Sequence, residues 1–103
     1  MHLSVCMKKS LVIERLSAIK QDLSCYGVMK VGLFGSTVRN ESSAHSDVDV
    51  LVDFLPGKET YYNYLSVCDA LEKIFGHTKV DVVTVKGLSP FVGDTILKEV
   101  EYV

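Results

Sequence analysis

Three acidic residues in this 103-residue chain lie where their carboxylates could share divalent cations. Asp47 and Asp49 are two residues apart in an alternating segment, so on a strand their side chains leave the same face, roughly 6 to 7 Å apart along the chain. Asp81 is the single acid within a second, valine-rich segment, and a neighbouring strand would bring it to the same site. Magnesium prefers oxygen ligands and binds through one or two carboxylates together with substrate phosphates. Because burying three carboxylates without a cation is costly, the cluster predicts a metal site.

A glycine-serine pair after an apolar run indicates a second part of the site. Gly35 and Ser36 follow residues 29–34, which are typical of a buried strand. A turn or helix that opens there can direct backbone N–H groups at an anion, with glycine allowing close approach and the serine hydroxyl donating to phosphate. Arg39 could add a charge-assisted contact to a phosphate, or it could merely pair with Glu41 at the surface. The pair therefore predicts a binding site for a triphosphate tail.

The elements that must position these residues follow from the apolar periodicity. Steps of three and four predict a helix from Ser10 to about Cys25, with its apolar face at Val12, Leu16, Ile19 and Leu23. Strands are predicted at 29–34, 47–54 and 79–85. A second helix is predicted at 59–75, with Tyr61, Leu65, Cys68, Leu71 and Phe75 on one side, and a last helix begins at Ser89-Pro90. The fold class is therefore α+β or α/β in two layers, a small sheet flanked by helices.

The bulk composition bounds the class of protein. A chain of 103 residues with 48% hydrophobic and 23% charged residues is expected to form a single domain over residues 1–103. A net charge of -2 argues against direct nucleic-acid binding, which usually recruits clustered Lys and Arg. No stretch approaches the roughly 18 apolar residues of a membrane span, and none resembles a secretory signal. Cys6, Cys25 and Cys68 are expected to be small core residues in a reducing cytoplasm.

Gly35-Ser36, ten intervening residues and then Asp47-Val48-Asp49 together resemble the signature of the DNA polymerase β-like nucleotidyltransferases. The length and the whole chain look like the minimal nucleotidyltransferase antitoxins, the partners of HEPN-domain ribonuclease toxins. That family includes members that transfer AMP from ATP to a tyrosine of the toxin. One departure is Val38-Arg39-Asn40, which stands where many relatives have Ala-Arg-Gly, although the arginine is retained.

The resemblance implies a polymerase β-like palm, two magnesium ions, ATP as substrate, and a HEPN toxin as acceptor in a hetero-oligomer. Asp47 and Asp49 would bind both ions. Asp81 would assist the ion nearest the nucleophile and accept its proton, while Gly35, Ser36 and Arg39 would hold the β and γ phosphates.

Other interpretations of the same residues stay open. The Asp-x-Asp pair could be a solvated strand face, and Asp53, farther along that face, is interpreted as structural. His45, in a serine-rich loop, is interpreted as a surface residue rather than a ligand. Tyr61, Tyr62 and Tyr64 could stack on a base but are more typical of a core or an interface. Two alternative functions remain: an antitoxin that only occludes its toxin, and an enzyme that acts on a small-molecule antibiotic.

Overall fold

The computed structural model describes residues 8–39, 47–76 and 78–103. Four helices and four strands follow one another in the described ranges, with a short 3-10 turn at Val85–Gly87. The helices are α1 (Lys9–Ser24), α2 (Gly35–Val38), α3 (Tyr61–Phe75) and α4 (Gly93–Glu99). The strands are β1 (Val28–Leu33), β2 (Val48–Phe54), β3 (Val80–Thr84) and β4 (Glu101–Tyr102).

The four strands form one mixed sheet in the order β3-β2-β1-β4. β1 pairs antiparallel with both β2 and β4, whereas β2 and β3 run parallel and are joined by the crossover connection that parallel strands need, which contains α3. This α+β arrangement agrees with the fold class predicted from the sequence, and β2, the strand that carries Asp49, lies inside the sheet.

The hydrophobic core lies between one face of the sheet and the two long helices. Alternate residues of β2, including Val50 and Val52, pack with Leu16 of α1 and Leu71 of α3. The guanidinium of Arg15 donates to the carbonyl of Ile74 at 2.8 Å and joins α1 to α3. Because side chains alternate along a strand, the residues between these apolar positions of β2 point to the opposite face of the sheet.

Local signals explain the limits of α3. The hydroxyl of Thr60 accepts from the backbone N–H of Asn63 at 3.1 Å and caps the first turn, as a threonine at this position commonly does. Gly76 follows the last turn with a φ of 60°, a conformation that glycine adopts at little cost.

The predicted apolar side of α3 is partly wrong. Leu71 and Phe75 are buried as expected, but Tyr61 and Leu65 are exposed, and Val67 takes the inward position instead. The core faces the stripe Tyr64, Val67, Leu71 and Phe75, which also has helical spacing. Periodicity alone could not choose between the two stripes near the start of the helix.

The carboxyl-terminal segment differs from its prediction. Ser89 begins a turn, in which its hydroxyl accepts from the N–H of Val92 at 3.3 Å, and α4 starts only at Gly93. The two-residue strand β4 was not predicted, and it pairs with β1 opposite Gly32 and Leu33.

The cysteine prediction is wrong for Cys25, which is exposed, while Cys68 is half-buried. Both described cysteines are free thiols, and Cys6 lies outside the described residues. Among the helices that the structure describes, none combines the length and the apolar character that a membrane crossing needs.

Candidate active site

Two of the three predicted acids lie side by side on adjacent strands. The parallel pairing of β2 and β3 places Asp49 directly opposite Asp81. Their neighbours Val48, Val50, Val80 and Val82 face the helices, so both carboxylates project from the other face of the sheet. Since paired strands lie about 4.8 Å apart, the two acids are near neighbours.

The third predicted acid, Asp47, lies just before β2 and faces a cation. Its carboxylate is 3.8 Å from the ammonium of Lys79, the residue before β3. The backbone N–H of Val48 donates to the carbonyl of Lys79 at 2.9 Å, so the two strands start level with each other. On the other side, the buried hydroxyl of Thr37 donates to the carbonyl of Asp47 at 3.5 Å and links this strand start to α2.

Gly35 packs directly against Asp49. A Cβ atom placed on Gly35 would lie 2.3 Å from a carboxylate oxygen of Asp49, and its φ of 69° is in the left-handed region. Only glycine satisfies both conditions without strain. The first residue of α2 therefore comes close to the Asp49 carboxylate because it lacks a side chain, whereas the close approach predicted from the sequence was that of a phosphate.

The environment of Asp49 disfavours its charged form. Burial, and then the negative charges of Asp81 and Asp47, raise the pKa of Asp49 from 3.8 to about 6. Arg39 acts in the opposite direction, and Glu99 adds a smaller increase. An uncompensated cluster of this kind is a good environment for a cation, which would relieve both the repulsion and the desolvation.

The carboxylates are gathered but do not form a closed ligand set. Within ranges 8–39, 47–76 and 78–103, no group of three or more His, Cys, Asp or Glu side chains has the arrangement of a metal site. Asp49 and Asp81 fit a divalent ion by chemistry and by their shared face, while Asp47 is directed towards Lys79.

Glu99 is a site residue that the sequence analysis missed. One carboxylate oxygen accepts from the backbone N–H of Gly35 at 2.7 Å, and the other lies 2.9 Å from the guanidinium of Arg39. Arg39 therefore pairs with Glu99 in this structure. Little in the sequence indicated this role, because Glu99 lies within the last predicted helix, where a lone acid is typical of the solvated face.

The other candidate residues lie away from the Asp49–Asp81 pair or outside the described residues. Asp53 is four residues beyond Asp49 on the same strand and lies opposite Lys30. Tyr61 and Tyr62 are exposed, whereas the hydroxyl of Tyr64 donates to the carbonyl of Val82 at 3.4 Å and ties α3 to β3. The Ser36 side chain, Asn40, Glu41 and His45 are outside what the structure describes.

Known proteins of similar sequence are nucleotidyltransferases. Residues 12–103 match the family described as Nucleotidyltransferase domain. The protein adenylyltransferase MntA of Thermococcus cleftensis is 38% identical over 91 residues, which are 85% of this chain and 88% of that protein. A Methanocaldococcus jannaschii protein assigned as a protein adenylyltransferase is 38% identical over 80 residues, 76% of this chain and 79% of its own length.

Solved structures share the architecture. A protein assigned as a minimal nucleotidyltransferase superimposes with a TM-score of 0.80 at 32% identity, covering 92% of this chain and 95% of that one. A chain from a mutant of the MntA-HpeT toxin-antitoxin pair gives a TM-score of 0.61 at 14% identity, with 93% and 71% coverage. At 14% identity, the similarity to the second structure supports a shared fold and nothing more.

Proposed function

This chain belongs to the nucleotidyltransferase domain family, and from that premise we propose that it is an antitoxin that transfers AMP from Mg-ATP to a tyrosine hydroxyl of a HEPN ribonuclease toxin. The transfer would neutralise the toxin. That the chain is an enzyme of the nucleotidyltransferase class follows from the family and from relatives named as protein adenylyltransferases. The observation that carries the proposal is the pairing of Asp49 with Asp81 beside Gly35.

Each residue has a distinct role in this reaction. Gly35, Ser36 and Arg39 hold the β and γ phosphates, with the backbone N–H of Gly35 and the guanidinium as donors. Asp47 and Asp49, with Asp81, would hold two magnesium ions, and Asp47 would have to leave Lys79 to do so. Bound magnesium would neutralise charge on the phosphates as it builds up during transfer.

The transfer itself exchanges one phosphorus-oxygen bond for another. The tyrosine oxygen forms a bond to the α-phosphorus. At the same time the bond from the α-phosphorus to the oxygen bridging the α and β phosphates breaks, and pyrophosphate leaves with that electron pair. Asp81, exposed at the sheet edge, accepts the tyrosine proton. The protein's contribution is to position the two substrates and to complement their charge.

The acceptor comes from another protein in this proposal. The names of two relatives support this, because both are called protein adenylyltransferases, enzymes whose acceptor is a protein. The reaction then takes place within a hetero-oligomer with the toxin, in a cytoplasm where thiols such as Cys25 and Cys68 stay reduced.

The test uses the purified chain, a HEPN toxin encoded beside it, ATP and magnesium, with intact mass as the readout. A gain of one or more AMP units on the toxin, mapped to tyrosine, is the expected result. Asp49→Asn should abolish the gain, whereas Asp53→Asn, which removes a charge from the same strand, should leave it. An unmodified toxin in the wild-type reaction would contradict the proposal.

A second candidate function is occlusion of the toxin without chemistry. It is favoured by the Glu99 carboxylate on the proposed phosphate donors and by the absence of a closed metal-ligand set among the described residues. The Asp49→Asn variant separates the two functions. If the antitoxin acts by occlusion, this variant would still neutralise the toxin and would leave the mass of the toxin unaltered.

A further inference from the structure

The carboxylate of Glu99 connects the end of α4 to the start of α2. It accepts from the Gly35 N–H at 2.7 Å and contacts the Arg39 guanidinium at 2.9 Å. The Glu99 side chain is 24% exposed, so the contact is partly withdrawn from water, where charge-assisted bonds are stronger.

The position of Glu99 is fixed by the strand that follows it. Two residues later, Glu101 lies opposite Leu33 of β1, and the N–H of Val103 donates to the carbonyl of Val31 at 2.9 Å. Gly32 permits this approach, because a Cβ there would lie 2.7 Å from the carbonyl oxygen of Glu101. The backbone pairing of β4 therefore holds Glu99 beside Gly35.

Glu99 contacts the same two groups that the proposed function assigns to the triphosphate. A backbone N–H makes one strong hydrogen bond at a time, and a guanidinium paired with a carboxylate has fewer donors left for phosphate. Two anions at this spacing also repel each other. A phosphate oxygen and the Glu99 carboxylate therefore compete for Gly35 and Arg39.

We propose that Glu99 is an internal competitor of the nucleotide: its carboxylate occupies the triphosphate donors, and ATP must displace it to bind. This inference rests on the proposed function, because it assumes that Gly35 and Arg39 receive the phosphates. The α4–β4 segment then sets the affinity for triphosphate, and any contact that draws this segment away would raise that affinity.

A positioning role for Glu99 predicts the opposite sign. If the carboxylate only orients Arg39 towards phosphate, its removal weakens nucleotide binding. If it competes, its removal strengthens binding. Measuring the sign of the change in affinity is therefore sufficient to separate the two roles.

The experiment compares Glu99→Ala and Glu99→Gln with the wild-type chain by calorimetry, using Mg-ATP and, without metal, inorganic tripolyphosphate. We expect both ligands to bind about tenfold more tightly to the variants, because a charge-assisted competitor has been removed. Glu99→Gln keeps the side-chain size and serves if the alanine variant does not fold. Glu101→Gln is the matched control, because Glu101 pairs with Lys9 at 2.7 Å, and its affinity should stay within about twofold of the wild type.

Equal or weaker binding by both Glu99 variants would overturn the competitor role while leaving the proposed function intact. A gain of the same size in Glu101→Gln would also overturn it, since the effect would then come from net charge alone. If neither ligand binds to the wild type or to any variant, the phosphate site itself is refuted, and the proposed function fails with it.

Discussion

Replacing Asp49 with Asn should stabilise the fold while abolishing the chemistry. Burial and the charges of Asp81 and Asp47 raise the pKa of Asp49 to about 6, from 3.8. The folded protein therefore binds this proton more tightly than the unfolded chain does. By linkage, the stability from this group is complete below a pH of about 4 and is lost as the pH rises through about 6.

The size of the effect follows from the same difference. A change from 3.8 to about 6, at about 1.4 kcal/mol for each pH unit, gives an upper bound of about 3 kcal/mol. Asp49 is only partly buried, so screening by water reduces the expected gain to about 1 to 2 kcal/mol. For a domain of this size, each kcal/mol corresponds to roughly 4 to 8 °C in Tm.

The assay is thermal and urea unfolding of the wild type and Asp49→Asn, in a chelating buffer, at about pH 8 and about pH 4.5. The variant should be more stable at the higher pH, and the difference should shrink at the lower pH. At the higher pH, magnesium added in place of the chelator should stabilise the wild type and have little effect on the variant. Asp53→Asn controls for the loss of one charge on the same strand.

A variant that is equally or less stable than the wild type at the higher pH would refute the reasoning. So would a gain that persists unchanged at the lower pH, because that gain could not come from the ionisation of Asp49.

Three further predictions concern single positions. Gly35→Ala should lower the free energy of unfolding by about 1 to 3 kcal/mol and abolish triphosphate binding in calorimetry, because the new Cβ meets Asp49 at a positive φ. Leu71→Ala should cost about 2 to 5 kcal/mol in urea unfolding, because its side chain is fully buried between α3 and the sheet. Thr60→Ala should cost about 1 kcal/mol in the same assay by removing the cap on Asn63.

The glycine and leucine variants each have a matched control. Gly57 also has a positive φ but nothing within 4 Å, so Gly57→Ala should strain the turn without affecting ligand binding. Leu65 is 45% exposed, and Leu65→Ala should cost less than Leu71→Ala. Tight triphosphate binding by Gly35→Ala, equal costs at the two leucines, or an unchanged Thr60→Ala would contradict the respective arguments.

The longer elements could be predicted because their signals are local. The alternating valines around Asp49 and the three- and four-residue steps in α1 and α3 locate these elements within about two residues. Asp81 was predicted to lie near Asp49 because it is the single acid in a valine-rich strand, while the parallel register that sets the two residues opposite each other was not predicted.

The features that escaped prediction depend on distant contacts. β4 has two residues, and it becomes a strand only through the edge that β1 offers. Glu99 joins the site because that pairing carries it to Gly35, 64 positions away in the sequence. The inward stripe of α3 was misassigned because two apolar stripes overlap in the helix, and only the packed sheet selects one of them.

The alignment of Asp49 with Asp81 is set by main-chain pairing rather than by side-chain packing. Side chains alternate along a strand, so sliding β3 by a single residue would turn Asp81 to the helix side and bring a valine to face Asp49. Core substitutions that keep the strand pairing leave Asp81 opposite Asp49. A one-residue insertion or deletion within β3, before Asp81, would move Asp81 to the other face of the sheet. For this fold, changes in chain length inside the edge strand are therefore more damaging to the reaction than most changes of residue type.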